Sequence, residues 1–191
     1  SLDDSNAIPD TISTIYVPEN SVDAYKTTSG WSAFADKIQA VIPSMVVTYT
    51  DGTTEKFYYL TKIEGNTITR PDVKEFVLSN SVTEIGASAF NGEDHLETAV
   101  IPDSVKIIGQ WAFAWSDGLK SITIGSGITS IGNSCFQACK SLASVTIKNS
   151  TSKLTYSSNM CKDISSSAKL YVPSSVLSDY QADTNYTNAF K

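Results

Sequence analysis

SVTEIGASAFNGEDHLETAVIPD (81–103), SVKIIGQWAFAWSDGLKSITIGS (104–126) and GITSIGNSCFQACKSLASVTIKN (127–149) follow one another without a gap and align column for column. The step is 23 residues, and repeats of this length mark stacked solenoid coils. The apolar columns are Val82/Val105/Ile128, Ile85/Ile108/Ile131, Phe90/Phe113/Phe136, Leu96/Leu119/Leu142, Ala99/Ile122/Val145 and Ile101/Ile124/Ile147. A small-residue column, Ala89/Ala112/Cys135, precedes the phenylalanines, and a glycine column, Gly86/Gly109/Gly132, follows the second isoleucine column. One such unit has too few apolar side chains to offset the entropy of ordering its backbone, so neighbours must bury each other's faces.

Each unit contains one clear strand. In ETAVI (97–101), Ala99 and Ile101 alternate with Thr98 and Val100, the period of a half-buried strand, and KSITI (120–124) and ASVTI (143–147) repeat it. KEFVL (74–78) supplies an earlier strand in the same columns, and KLYV (169–172) a later one after a two-residue insertion. IGASAF and its copies predict a helical turn or short 3₁₀ segment opposite the strand. The polar column Asn80/Asp103/Ser126/Asn149 sits where the chain leaves the strand and turn backbone needs a side-chain partner.

The run Leu96-x-x-Ala99-x-Ile101-Pro102-x-x-Val105-x-x-Ile108-Gly109-x-x-Ala112-Phe113, continued as Leu119 through Phe136, resembles the BspA-like (Treponema pallidum type) leucine-rich repeats of bacterial surface proteins. Cys139 occupies that family's cysteine column, filled by Glu93 and Ser116 in the other two copies. The resemblance implies an α/β solenoid: a short leucine-rich-repeat right-handed superhelix with a parallel β-sheet on one face, plus β-hairpin and helical cap units. It also implies a secreted or cell-surface bacterial protein, with adhesion among its roles, and carries no catalytic residues.

The two ends resemble each other. STIYVPENSVDAYKTTSGWSAF (13–34) matches AKLYVPSSVLSDYQADTNYTNAF (168–190), each a strand followed by short helical segments carrying aromatics. Such segments close the open end of a solenoid. We therefore expect a cap-like unit over residues 1–43, either the end of a preceding repeat array or an N-terminal lid. A β-hairpin and turn over 44–72 should cover the N-terminal edge, with Asp51-Gly52 as the hairpin turn of MVVTYTDGTTEKFYYL (45–60). The solenoid is placed at 73–172 and a C-terminal cap at 173–191. Because the chain opens at Ser1 without a methionine or a signal-peptide pattern, a mature form or an excised fragment is expected.

Composition narrows the functional classes. At 41% apolar and 18% charged, the 191-residue chain has the balance of a globular protein. Its net charge is −6, and its 14 scattered basic residues offer no phosphate-binding cluster, so no nucleic acid partner is expected. No apolar run reaches the roughly 20 residues of a membrane span, so no membrane insertion is expected. Cys135, Cys139 and Cys161 lack CxxC spacing, and the two in repeat columns are expected to be buried structural thiols.

Residues suited to chemistry are sparse. His95 is the single histidine, with no GxSxG motif beside it, and is expected as a solvated loop residue. Glu93 and Asp94 in NGED are expected as a solvated turn, too short for a calcium loop. Gly125-x-Gly127 is a repeat turn rather than a phosphate loop. No cofactor, metal or enzymatic activity is expected.

The candidate binding surface is the outward side of the strands, made of Thr98, Ser121 and Ser144 in one column and Val100, Thr123, Thr146 and Tyr171 in the next. Lys74/Glu97/Lys120/Ala143 should form cross-strand ion pairs. Trp111 and Trp115 break the repeat, standing where the other copies have Ser88/Ser134 and Gly92/Ala138. Packing over the convex edge is the expectation for them, with an exposed aromatic patch as the alternative. Together these features predict a noncatalytic extracellular protein-interaction or adhesion module. The alternatives are a carbohydrate-binding module or a structural spacer displaying other domains. The ligand would be a protein or glycan on a host or bacterial surface, and an incomplete cap would permit end-to-end self-association.

Overall fold

The computed structural model describes residues 12–17, 19–155 and 157–190. Two compact units meet in the sequence between Pro43 and Ser44. The expected cap over 1–43 falls in part on residues 1–11 and Pro18, which lie outside the described residues.

In the first unit, β1 (Ile15–Val17) leads through a 3₁₀ turn at Glu19–Ser21 into α1 (Val22–Thr27). The Thr28 hydroxyl and amide both donate to the Ala24 carbonyl at the end of α1. A second 3₁₀ turn, Ser32–Phe34, returns the chain to β2 (Ile38–Ala40). β1 and β2 pair in parallel with Ile15 opposite Ile38, the same 23-residue step as in the repeats. Tyr25 and Trp31 pack edge to face at 5.0 Å on this unit.

The second unit starts with the hairpin of β3 (Met45–Tyr49) and β4 (Thr54–Phe57), paired antiparallel as expected. Gly52 takes φ 83°, and the Asp51 carboxylate accepts hydrogen bonds from the Thr53 amide and hydroxyl at 2.9 and 2.6 Å. Arg70 ties this turn to the following loop. Its guanidinium reaches Asp51 at 3.0 Å and Asp72 at 2.8 Å and lies 3.9 Å from the Tyr49 ring centre.

Next come β5 (Lys62–Ile63), β6 (Val73–Leu78), β7 (Glu84–Ile85), β8 (Thr98–Ile101), β9 (Ile107–Ile108), β10 (Ser121–Ile124), β11 (Ser130–Ile131), β12 (Ser144–Ile147) and β13 (Lys169–Tyr171). The order β8-β10-β12-β13 forms one parallel sheet and β5-β7-β9-β11 a second. Ala99, Ile122, Val145 and Leu170 stand opposite one another, with the insertion absorbed between β12 and β13.

Two local expectations are corrected. KEFVL does form a strand, β6, but its ladder partner is β3, antiparallel, and not β8. The hairpin satisfies the edge of β6 that hydrogen-bonds, and the parallel sheet begins only at β8. IGASAF and its copies are not helical: Ile85, Ile108 and Ile131 lie in the two-residue strands of the second sheet, and left-handed residues interrupt the turns that follow. Each coil therefore has two sheet sides and a third side of turns, and among the described residues α-helices lie in the first unit and after β13.

The core follows the repeat columns. Phe90, Phe113 and Phe136 are fully buried, and with Phe76 they form a stacked ladder. Ring centres are 4.2 Å apart for Phe76–Phe90, 5.3 Å for Phe90–Phe113 and 6.0 Å for Phe113–Phe136, with interplanar angles of 20°, 8° and 21°. The polar column works at the strand exits: Asp103 accepts from the Ser126 amide at 2.7 Å, and Asn149 donates to the Ile128 carbonyl at 2.8 Å.

After β13, α2 (Leu177–Gln181) and α3 (Thr184–Ala189) close the array. Tyr180 and Tyr186 are buried against each other at 4.7 Å. The Tyr180 hydroxyl accepts from the Leu154 amide and the Tyr186 hydroxyl donates to the Leu154 carbonyl, so two aromatics satisfy the irregular last loop. Asp183 caps α3 through the Asn185 amide and pairs with Lys153.

Candidate functional site

Alternation within β8, β10, β12 and β13 buries Ala99, Ile122 and Val145 and turns the other set of side chains outward. Thr98, Ser121 and Ser144 align in one row, and Val100, Thr123, Thr146 and Tyr171 in the next. The structure thus brings these sequence-selected residues together on one face. Most of the face is short and hydroxylated. The apolar exceptions are at its margins, Val77 and Val100 on one side, 59% and 63% exposed, and Tyr171 on the other. The Lys120 ammonium meets Glu97 at 2.7 Å across the sheet and holds its carboxyl below the usual range. As an exposed pair it adds little to stability.

Because β6 and β8 are not laddered, a shallow cleft opens between them. It has a volume of about 210 Å³ and is lined by Glu75, Phe76, Val77, Leu78, Thr98, Val100 and Pro102. Sequence reasoning missed this cleft, since β6 carries the same alternation as the strands that do pair.

Trp111 and Trp115 lie on the third side, in the turns that connect β9 to β10. Each indole is about half exposed, at 41% and 48%. Their backbones share an unusual geometry, with φ of 54° at Trp111 and 58° at Trp115. The same left-handed geometry recurs at Ser88, Ser134 and Asn159 in one column and at Gly92, Ala138 and Asp163 in the other. The turn is thus imposed by the coil, whatever residue occupies it. Glycine and asparagine tolerate it, whereas other L-residues bear roughly 1–2 kcal/mol of strain there. The tryptophan amides still donate to the next coil, Trp111 to the Asn133 carbonyl at 3.0 Å and Trp115 to the Gln137 carbonyl at 2.8 Å.

The expected solvated pair in NGED is half corrected. Asp94 is exposed, but Glu93 is only 5% exposed and accepts a hydrogen bond from the Val73 amide at 3.1 Å. The signal for this was its column. Ser116 and Cys139 at the same place are buried and donate to the Phe90 and Phe113 carbonyls, both at 2.9 Å. Burial pushes the Glu93 carboxyl above its usual range, assisted by Asp72 and Asp94 and opposed by the Val73 amide.

An acid whose pKa is raised by folding stabilises the fold fully below its unfolded value, and that contribution is lost as pH rises through the folded value. Glu93→Gln keeps an acceptor for Val73 and has no charge to bury. Relative to wild type, we expect its stability to rise as the pH goes from 4 to 8, read from urea unfolding at both ends. A difference that stays constant across that range would contradict the account.

His95 is exposed, as expected for a loop residue. Cys135, Cys139 and Cys161 are buried and form no disulfide, and burial pushes the Cys139 thiol up to about 12, so it is not a ready thiolate. Among the described residues, no group of three or more His, Cys, Asp or Glu is placed to hold a metal ion, and no helix is long and apolar enough to cross a membrane.

The BspA type leucine rich repeat region matches residues 61–182 in 6 copies. No curated protein matches the chain. Solved structures that do match include a leucine-rich repeat protein from Bacteroides capillosus ATCC 29799, 21% identical, TM-score 0.43, over 69% of this chain and 96% of that one. A leucine rich cell surface protein from Faecalibacterium prausnitzii A2-165 matches at 18% identity and TM-score 0.33, over 94% of this chain and 50% of that one. A leucine-rich repeat protein from Bacteroides ovatus ATCC 8483 matches at 24% identity and TM-score 0.30, over 71% of this chain and 45% of that one. The chain thus spans about half the length of the last two. With its repeat matched over more than half its length, the chain belongs to the BspA-type leucine-rich repeat family.

Proposed function

We propose that the protein is a noncatalytic protein-interaction module serving adhesion at a bacterial surface or within a secreted protein. The observation that carries this reading is the outward face of the parallel sheet. It is an array of Thr98, Ser121, Ser144, Thr123 and Thr146 bordered by the apolar cleft between β6 and β8. Repeated coils hold these side chains at fixed spacing, so a partner meets a surface already ordered for binding. Exposed Val77 and Val100 flanking the cleft supply the desolvation that hydroxyls alone lack. Family membership supports the interaction role, and the net charge of −6 disfavours nucleic acid.

The test is a binding screen of the purified chain against extracellular-matrix and bacterial surface proteins, run beside Val100→Glu. A partner bound by wild type and lost by at least about tenfold in the variant supports the reading; that loss corresponds to roughly 1.4 kcal/mol. No partner in the screen, or one indifferent to the substitution, would count against it.

A further inference from the structure

We infer that Trp111 and Trp115 form a second binding site, a stacking platform for a β-linked pyranose glycan, separate from the sheet face. Three observations converge on this. First, both indoles are about half exposed, in columns where the other described coils carry only serine, asparagine, glycine, alanine or aspartate. Second, both stand on left-handed backbone, φ 54° and 58°, where a small or flexible residue suits the turn better. Two bulky aromatics in unfavourable positions on one turn segment are poorly explained by core formation, because Ala112, Phe113 and Ala114 between them already fill the interior.

Third, the flanking side chains provide neutral hydrogen-bonding groups. Gln110, Asn91 and Asn133 are exposed beside the pair, and Asn91 donates to the Trp111 carbonyl at 3.4 Å. Asp117, two residues beyond Trp115, is already paired with Lys140 at 2.7 Å. Flat aromatic faces with amide groups beside them suit a ligand that offers apolar C–H faces and many hydroxyls. A pyranose with equatorial substituents is such a ligand, and a β-linked chain presents successive rings to successive indoles.

The experiment titrates the full chain with cellohexaose, chitohexaose and laminarihexaose, with an α-linked dextran oligomer as control, by calorimetry and by NMR of the indole N–H signals. In wild type, at least one β-linked oligomer should bind and move two of the three indole signals, leaving that of Trp31 in place. Trp111→Ser/Trp115→Gly, which installs the residues of the preceding coil, should weaken binding by at least about tenfold. The same variant should keep or raise the melting temperature, since glycine at position 115 removes strain there, and should bind a sheet-face protein partner as wild type does.

No β-linked oligomer bound, binding unchanged in the double variant, or movement of the Trp31 signal alone would overturn the inference. So would a partner protein lost in place of the glycan. If the double variant does not fold, the wild-type indole signals alone decide the matter. Failure here leaves the sheet-face reading intact, because that reading is tested at Val100 with protein partners.

Discussion

Phe113→Ala will lower the stability of the second unit by about 3–5 kcal/mol, the range for removing a large aromatic from a closed core. Phe113 is fully buried and sits between Phe90 at 5.3 Å and Phe136 at 6.0 Å, so its loss leaves a gap between two coils that the rigid ladder cannot close. In a structure of this size the expected fall in melting temperature is on the order of 10 °C. Because a solenoid is held by nearest-neighbour contacts, the break should also separate the coils on either side, giving a shallower denaturant slope. Equilibrium urea unfolding reads both quantities. A loss below about 1 kcal/mol would mean that the aromatic ladder is not the spine of the fold.

A smaller change should have a comparable consequence. In Gly109→Ala, the added methyl would lie 2.5 Å from the Ala87 nitrogen and 2.6 Å from the Gly86 carbonyl carbon, both backbone atoms of the preceding coil. Neither can swing aside, so the coils must separate locally, at a cost of about 1–3 kcal/mol or more. Gly132→Ala meets Gln110 and Gly109 backbone in the same way. The sign makes the test sharp, since glycine to alanine at an unhindered site usually stabilises by about 0.4–1 kcal/mol. An increase in melting temperature for either variant would contradict the close approach.

These two columns were legible in the sequence because a solenoid repeats its packing problem every 23 residues. Phe90/Phe113/Phe136 and Gly86/Gly109/Gly132 each answer one fixed place in the coil. The hairpin was equally legible from Asp51-Gly52 between two alternating runs. Other features were hidden for physical reasons. Alternation in KEFVL tells which side of β6 is buried but not which strand pairs with it, and β3 proved to be the partner. The strands β7, β9 and β11 are two residues long, too short for a period-2 signal. Glu93 reads as polar loop, and only its column with Ser116 and Cys139 marks it as an interior position.

The candidate site divides in the same way. The rows Thr98/Ser121/Ser144 and Val100/Thr123/Thr146/Tyr171 followed directly from register. The cleft beside Val100 did not, because it arises from a missing ladder. Trp111 and Trp115 stood out as repeat-breaking residues, but their left-handed backbone became visible only in three dimensions. Gly92 in one column and Asn159 in the other were the sequence hints of that geometry.

Hydrogen–deuterium exchange of the chain, with and without a partner from the screen, reads whether the outward sheet face receives that partner. Protection should concentrate in the edge and outward surface around β6, β8, β10 and β12, with the turns carrying Trp111 and Trp115 unchanged. Protection confined to those turns or to α2 and α3, with none on the sheet, would contradict it.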